Sequence, residues 1–193
     1  MKKFPIVLDL ETKHTFREFS DPKDLGITVV AIYDYRNHQG RVFLESELNQ
    51  LFPLLESSSY IVGFNVRSFD MAVLQKYYPG RVDHLSTFDI LDDIKEKIGH
   101  RLALNDILSA TLNKKKTGHG LMAIDYYKEG KLDELKKYCL EDTMLTREIF
   151  DYGVKTGEIY YFNPKGKATI VVDWKRYLEE DGDKNDIPLT LPF

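Results

Sequence analysis

Residues 7–12, near the N-terminus, read Val7-Leu8-Asp9-Leu10-Glu11-Thr12 and carry the clearest indication of fold class in the sequence. They end a short apolar run, Phe4–Leu10, which favours a strand buried on both faces and therefore central in a sheet. Because strand side chains alternate, Asp9 and Glu11 are expected on one face, about 6–7 Å apart. Two such carboxylates repel each other unless a cation lies between them, although a strand that runs out into solvent would also explain them.

A second acidic position follows the predicted fourth strand, in Gly63-Phe64-Asn65-Val66-Arg67-Ser68-Phe69-Asp70. We expect Ser68 to cap a helix that runs to about Tyr78, with Asp70 in its first turn on the buried side. The helix dipole alone would also favour an acid at this place. Asp70 by itself therefore does not indicate a site.

A third acidic position lies in the last long helix, predicted from about Leu132 to Tyr152. Asp142 falls on the apolar stripe of this helix, where an unpaired carboxylate costs several kcal/mol. Tyr138 precedes it by one turn and covers the same face. The alternative is that Asp142 lies at the partly solvated edge of the stripe.

The rest of the chain alternates between strand and helix patterns. Further strands are expected over Ile27–Tyr35, Arg41–Leu44, Tyr60–Phe64 and Leu85–Phe88. A helix is expected over Ser46–Leu55, and the stretch from Ile90 to Gly153 is expected to be mostly helical with a loop at Asn113–Gly120. A hairpin is expected from Glu158 to Trp174. This order predicts an α/β domain with a central mixed sheet of about five strands flanked by helices, plus a C-terminal β-hairpin. We expect a single domain over 1–193, with its core at 4–153 and the hairpin and an acidic tail at 154–193.

The composition limits the possible function classes. The chain has 193 residues, of which 42% are hydrophobic and 30% charged, and its net charge is −4. This balance disfavours a scaffold that holds duplex DNA by charge alone, but it is compatible with an acidic metal site. The single cysteine, Cys139, excludes an internal disulfide framework and fits a cytoplasmic location. No apolar stretch is long enough for a membrane span, so no membrane partner is expected.

The acidic elements together predict one site at one edge of the sheet. The expected metal ligands are Asp9, Glu11, Asp70 and Asp142. Four carboxylates suit two Mg²⁺ or Mn²⁺ ions, which can activate a water and stabilise a leaving oxygen at a phosphorus atom. We expect Tyr138 to orient the attacking water or to help take its proton.

In order and separation, these residues resemble the three exonuclease motifs of the DEDD superfamily, which has the ribonuclease H-like fold. The matching segments are Asp9-Leu10-Glu11, Asn65-x-x-x-Phe69-Asp70 and Tyr138-x-x-x-Asp142. A tyrosine four residues before the last aspartate resembles the DEDDy subgroup, which includes the proofreading exonuclease of family B DNA polymerases. Each motif alone is weak, whereas all three in this order, over roughly residues 4–150, are specific.

The resemblance implies a metal-dependent 3′–5′ exonuclease that releases nucleoside monophosphates from the 3′ ends of single-stranded DNA or RNA. It implies that the four acids hold two divalent cations and that Tyr138 lies beside the attacking water. The expected substrate contacts are Leu10, Thr12, Asn65 and Phe69 at the terminal nucleotide, and Lys115 and Lys116 at phosphates. A solvated lysine run is the alternative for this basic loop, and protein partners are not indicated.

Two other function classes remain open. A structure-specific endonuclease of the same fold would lack the Tyr-x-x-x-Asp element, and an inactive nucleic-acid-binding module would have lost an acid. His14, Phe16 and Arg17 are candidates to stack on or hold a terminal base. His119 lies where the histidine subgroup of the superfamily has a base, but we do not expect it to act because Tyr138 fills that role. Trp174 is expected to pack rather than to bind a base.

Overall fold

The computed structural model describes residues 3–118 and 120–178. It confirms the predicted α/β fold, with a five-stranded mixed sheet, flanking helices and a C-terminal hairpin. The strands are β1 (Ile6–Thr12), β2 (Ile27–Asp34), β3 (Gln39–Leu44), β4 (Ile61–Gly63), β5 (Thr87–Asp89), β6 (Glu158–Asn163) and β7 (Gly166–Val171). The helices are α1 (Leu48–Glu56), α2 (Asp70–Leu74), α3 (Ile90–Ile98), α4 (Leu104–Leu112), α5 (Gly120–Lys128), α6 (Leu132–Thr156) and α7 (Lys175–Leu178). His119 and the predicted acidic tail after Leu178 lie outside the described residues.

Strand β1 is the central strand of the sheet, as predicted. The strand order is β3-β2-β1-β4-β5. The pairs β1–β2 and β2–β3 are antiparallel, whereas β1–β4 and β4–β5 are parallel. Because β1, β4 and β5 run in the same direction, their C-terminal ends meet at one edge of the sheet. Sites in open α/β sheets form at such an edge.

The two faces of β1 belong to different cores. Ile6, Leu8 and Leu10 pack in a cluster with α1 and α2. Val7 lies on the opposite face, in a cluster built with α3, α4 and α6. Because side chains alternate, Asp9 shares the face of Val7 and is directed towards the α6 side of the sheet.

Helix α6 is the longest element, with 25 residues. It extends one turn beyond the predicted end and stops at Gly157, whose φ of 74° is the left-handed conformation common after helix ends. Its buried side includes Leu135, Cys139 and Ile149, which cover the sheet. None of the helices in the described part of the chain is long and apolar enough to span a membrane.

Helix α2 differs from the prediction, because it is shorter and Ser68 does not cap it. The helix begins at Asp70 and ends at Leu74, and the Ser68 hydroxyl instead donates to Oδ1 of Asn65 at 2.8 Å. Asn65 has a φ of 69°, which turns the chain sharply. The sharp turn leaves residues 66–69 outside the helix, which starts one residue later than a Ser68 cap predicts and ends before the predicted Tyr78.

The C-terminal hairpin is present, although its second strand ends at Val171 rather than at the predicted Trp174. The chain after the hairpin returns to the main core through Trp174, which is 1% exposed. Its Nε1–H donates to Oδ2 of Asp93 at 2.8 Å, and its ring stacks on Phe150 with centroids 6.1 Å apart. Trp174 is therefore a packing residue, as predicted.

Candidate active site

The first acidic pair lies where β1 extends beyond its parallel neighbour. Strand β4 pairs with β1 only at Ile6 and Val7, so the end of β1 that carries Asp9 and Glu11 has no strand on that side. The two acids are half-buried, and the residues between and after them, Leu10 and Thr12, are buried on the other face. The predicted shared face of the two carboxylates is confirmed.

Asp70 is attached to this strand end by a backbone hydrogen bond. Its Oδ1 accepts the Leu10 N–H at 3.0 Å, in place of a partner strand. Gly63 allows the close approach, because a Cβ there would lie 2.9 Å from the Leu8 carbonyl oxygen and 2.7 Å from Cβ of Val66. The short β4 and the tight turn after it thus bring the start of α2 against β1.

Asp142 completes the cluster from α6. One carboxylate oxygen from each of Asp9, Glu11 and Asp142 lies within 4.8 Å of the other two. Asp142 is 3% exposed, which excludes the solvated edge of the helix. The predicted convergence of strand end, helix start and late helix is therefore observed, with Asp70 beside the closest three acids.

Burial raises the pKa of every acid in the cluster, and repulsion from neighbouring cluster acids adds to this shift for Asp9, Glu11 and Asp70. Burial, followed by the charge of Asp142, raises the pKa of Asp9 to about 7. Burial and the neighbouring Asp9 hold the pKa values of Glu11 and Asp70 well above their usual range. Burial also raises the pKa of Asp142, although Lys116 opposes this shift. The folded chain alone does not fully compensate this concentration of negative charge.

Tyr138 lies one helical turn before Asp142, as predicted, and is 5% exposed. Within the described residues its hydroxyl is buried without a hydrogen bond of good geometry, although it lies beside Asp142. Burial and then the charge of Asp142 raise the pKa of Tyr138 above its usual value. The phenol therefore remains protonated at neutral pH.

The basic loop, residues 114–118, lies along α6 and brings Lys116 into the cluster. Nζ of Lys116 lies 2.5 Å from Oδ2 of Asp142. Burial alone would lower the pKa of Lys116, but Asp9 and Asp142 outweigh it, so the pKa is raised. Two more contacts to α6 hold the loop, from Lys114 to Glu148 at 2.5 Å and from Thr117 to Glu141 at 2.9 Å. Lys115, in contrast, is exposed.

A cavity of about 400 Å³, the acidic cleft, opens over the acids. Its lining includes Asp9, Glu11, Asp142, Tyr138, Lys116, Leu10, Thr12, Phe16 and Phe69. The rings of Phe16 and Phe69 lie 5.8 Å apart at one side of it. The hydroxyl of Thr12 donates to the His14 carbonyl oxygen at 2.8 Å. Most of the substrate contacts expected from the sequence thus border one cleft.

Asn65 lies outside the lining of the acidic cleft, and two residues that the sequence did not single out hold it. Its Oδ1 accepts from Nη2 of Arg101 at 2.7 Å. Asp89, buried at the end of β5, accepts the N–H groups of Asn65 and Arg67, each at 2.9 Å. A signal for Asp89 was available, since it directly follows a short apolar strand and precedes a helix. Arg101 had no such signal.

The charged residues of the cleft, together with Asp70 beside them, fit a divalent metal centre. Four carboxylates and one ammonium leave a formal charge of −3 when all are ionised. Carboxylate oxygens are hard ligands that suit Mg²⁺ or Mn²⁺. The raised pKa values agree with this fit, since the protein alone disfavours the ionised acids and a bound cation would stabilise them.

Comparison with known proteins agrees with this geometry. A family model described as the RNase_H superfamily matches residues 6–154. The chain belongs to the RNase H superfamily. Members of this superfamily with nuclease activity act on nucleic acid and generally use divalent metals, which agrees with the acidic cleft. The predicted resemblance is confirmed at this level.

Solved structures give a second comparison for this RNase H superfamily member. Among 46 matching chains is the family B DNA polymerase from the hyperthermophilic archaeon Pyrobaculum calidifontis. The match has a TM-score of 0.60 at 17% identity and covers 78% of this chain but 24% of the polymerase. At this identity the match shows a shared fold. No curated protein matches the sequence significantly.

Proposed function

We propose that this RNase H superfamily member is a 3′–5′ exonuclease that hydrolyses phosphodiester bonds at the 3′ ends of single-stranded DNA or RNA and releases nucleoside monophosphates. The observation that carries the proposal is the meeting of Asp9, Glu11 and Asp142 oxygens within 4.8 Å of one another. Support also comes from the Tyr-x-x-x-Asp spacing on α6, which an endonuclease of this fold would not require.

The proposed ligands of two Mg²⁺ or Mn²⁺ ions are Asp9, Glu11, Asp70 and Asp142. When bound, such a cation pair supplies a hydroxide nucleophile near neutral pH and charge stabilisation at the leaving 3′-oxygen. The hydrogen bond from Leu10 N–H fixes one oxygen of Asp70 and leaves the other for a ligand role. Strand and helix positions thus preorganise the acids.

Tyr138 is assigned to position the attacking water. Its buried hydroxyl is still free to form a hydrogen bond within the described part of the chain, and it lies beside Asp142. Because its pKa is raised, the protonated phenol orients the water rather than acting as its base at neutral pH.

The substrate contacts are assigned to the two sides of the acidic cleft. Leu10 and Phe69 supply an apolar side for the terminal base, with Thr12 next to them. Lys116 is assigned to the scissile phosphate, which would compete with Asp142 for its ammonium. The exposed Lys115 contacts a phosphate further along the strand.

Asn65 remains a proposed contact to the terminal nucleotide. Its side-chain oxygen is already engaged by Arg101 and Ser68, so its amide NH₂ is the group left for substrate. The volume of the cleft is in the range of small-ligand pockets and therefore suits a single nucleotide better than a duplex.

A test is the release of mononucleotides from 3′-labelled single strands of DNA and RNA in Mg²⁺ or Mn²⁺. We expect release by the wild type and a loss of at least about a hundredfold in Asp142→Asn, because a metal ligand is removed without a change of shape. The matched control is Asp133→Asn, an exposed acid in the first turn of the same helix and outside the cluster of three acids.

A circular single strand distinguishes the alternatives. An exonuclease leaves it intact, whereas an endonuclease of the same fold cleaves it. Binding of linear strands without release in either metal would indicate an inactive binding module and would contradict the proposal.

A further inference from the structure

The turn of the C-terminal hairpin forms a second cavity with the segment between α3 and α4. This cavity, the hairpin groove, has a volume of about 460 Å³. It is lined by His100, Leu102, Tyr161, Phe162, Asn163, Pro164 and Lys165. The groove lies outside the acidic cleft and shares none of its lining residues.

The lining of the hairpin groove combines exposed aromatic and basic groups. Phe162 is 61% exposed, so most of its ring is accessible to a ligand. Tyr161 meets His100 edge to face, with ring centroids 6.1 Å apart. Lys165 adds a positive charge, and no acidic side chain lines the groove among the described residues. Aromatic faces beside cations are the features that bind bases and phosphates of single strands.

The hairpin is held firmly to the domain, so the groove is preformed. The Tyr160 N–H donates to Oγ1 of Thr111 at 2.9 Å, and the same hydroxyl donates to the Tyr160 carbonyl oxygen at 3.1 Å. Ile159 and Ile170 are buried beneath the two strands. A preformed surface loses little entropy when a ligand binds.

The segment between α3 and α4 connects the groove with the acidic cleft. Arg101 lies between two lining residues, and its guanidinium donates to Oδ1 of Asn65 at 2.7 Å. Asn65 begins the turn that leads to Asp70. A few residues on, Asn105 accepts the backbone N–H of Lys116 at 2.8 Å. Leu102 thus lines the groove, while Asn105 holds Lys116, which lines the cleft.

We propose that the hairpin groove binds the single-stranded nucleic acid upstream of the 3′-terminal nucleotide. Phe162 stacks on a base, Lys165 contacts a phosphate, and Arg101 bridges the strand towards the acidic cleft. This inference rests on the proposed function, because it assigns the hairpin to the same substrate.

The test compares the binding of short and long fluorescent oligothymidylates in EDTA, about four and about twelve nucleotides long, the range of single-strand sites. Phe162→Ala should weaken binding of the long strand by about fivefold or more while the short strand binds as before, since one stacked base is lost. The matched control is Val171→Ala, which removes a side chain that is 74% exposed at the other end of the hairpin.

A second variant reports on charge independently of stacking. Lys165→Ala should reduce the slope of log affinity against log salt for the long strand by about 0.7, the value for one phosphate contact on a single strand. A groove that serves a second copy of the chain or another protein would leave both measurements unchanged, and this result would overturn the inference.

The two proposals can fail separately. If wild-type protein binds the long strand through Phe162 but releases no mononucleotide, the groove stands and the exonuclease assignment fails. If wild-type protein releases mononucleotides and Phe162→Ala binds the long strand normally, the assignment stands and the groove inference fails. If the wild-type protein binds neither strand, the inference that the groove binds nucleic acid fails.

Discussion

At the scale of single residues, the pKa values of the clustered acids make a prediction about stability. The pKa of Asp9 is about 7 in the folded protein and 3.8 ordinarily, so between these values the folded state binds more protons than the unfolded state. Stability then falls as pH rises through this window. We expect the melting temperature in EDTA to be several degrees higher near pH 5 than near pH 7.5. For this chain length, each kcal/mol of unfolding free energy changes the melting temperature by about 2–4 °C.

The control for this prediction is Asp9→Asn, which should show a weaker pH dependence of the melting temperature because the carboxyl with the raised pKa is removed. The comparison also cancels surface groups that act in the opposite sense. A melting temperature that rises with pH equally in both proteins would contradict the prediction, as would a failure of Mn²⁺ to stabilise the wild type.

Tyr138→Phe should separate catalysis from metal binding. The hydroxyl has no well-formed hydrogen bond within the described residues, so its removal should change the melting temperature little. Turnover should fall by about tenfold to a hundredfold because the water loses its orienting partner. Initial rates across pH and calorimetric Mn²⁺ titration measure both effects. Wild-type turnover at every pH would show that the assigned role is wrong.

The sequence predicted the acids of the site but not all of their partners. Asp9, Glu11, Asp70 and Asp142 stood out because carboxylates on apolar faces require compensation. The ion pair of Lys116 with Asp142 depends on how a loop folds back along α6, and no local pattern encodes that path. The buried Asp89 was overlooked because helix capping alone already explains an acid at that position.

At the scale of elements, the shortness of β4 creates the site. Had β4 continued alongside β1, a strand would have taken the Leu10 N–H that now holds Asp70. The periodicity of the sequence predicted each strand and the helices α1 and α6 to within a few residues, whereas α3, α4 and α5 were predicted only as one mostly helical stretch. It could not predict the late start of α2, because the left-handed Asn65 that delays it is a single-residue effect.

Gly63→Ala should disturb this arrangement. The added methyl would lie under 3 Å from both the Leu8 carbonyl oxygen and Val66, so the turn after β4 must shift. We expect a loss of about 1–3 kcal/mol in the free energy of unfolding and reduced nuclease activity. Urea unfolding measures the first effect. Gly120→Ala is the control for stability, since a Cβ there meets open space, and equal losses of unfolding free energy in both variants would argue against the tight turn.

At the scale of the whole molecule, Trp174 tests whether the hairpin region belongs to one domain with the core. Its ring packs on Phe150 and against Gly153, where a Cβ would lie 2.2 Å from the indole. Trp174→Ala should cost about 3–5 kcal/mol. If the predicted single domain is correct, circular dichroism and tyrosine fluorescence will follow one unfolding transition in this variant. Two transitions, with the core unaffected, would show that the hairpin folds separately.

The overall architecture was predictable because the three acidic segments, around Asp9, Asp70 and Asp142, had to meet at one edge of one sheet. Alternation in β1 and helical spacing in α6 fixed which faces were buried, and the superfamily match agrees with the result. The position of the hairpin beside residues 100–102 was not predictable, since it depends on contacts such as Thr111 with Tyr160. Such side-chain contacts between distant residues produce no periodic pattern in the sequence.

The wide separation of the acids along the chain has a consequence during synthesis. Cys139, three residues before Asp142, contacts Asp9 across 130 positions of sequence. Because the ribosome extends the polypeptide from its N-terminus, β1 emerges before α6 and must wait for almost all of the superfamily region. A nascent chain that has not yet released Asp142 therefore lacks one acid of the cluster while it is still close to messenger RNA. The order of translation itself would delay any nuclease activity until α6 has emerged.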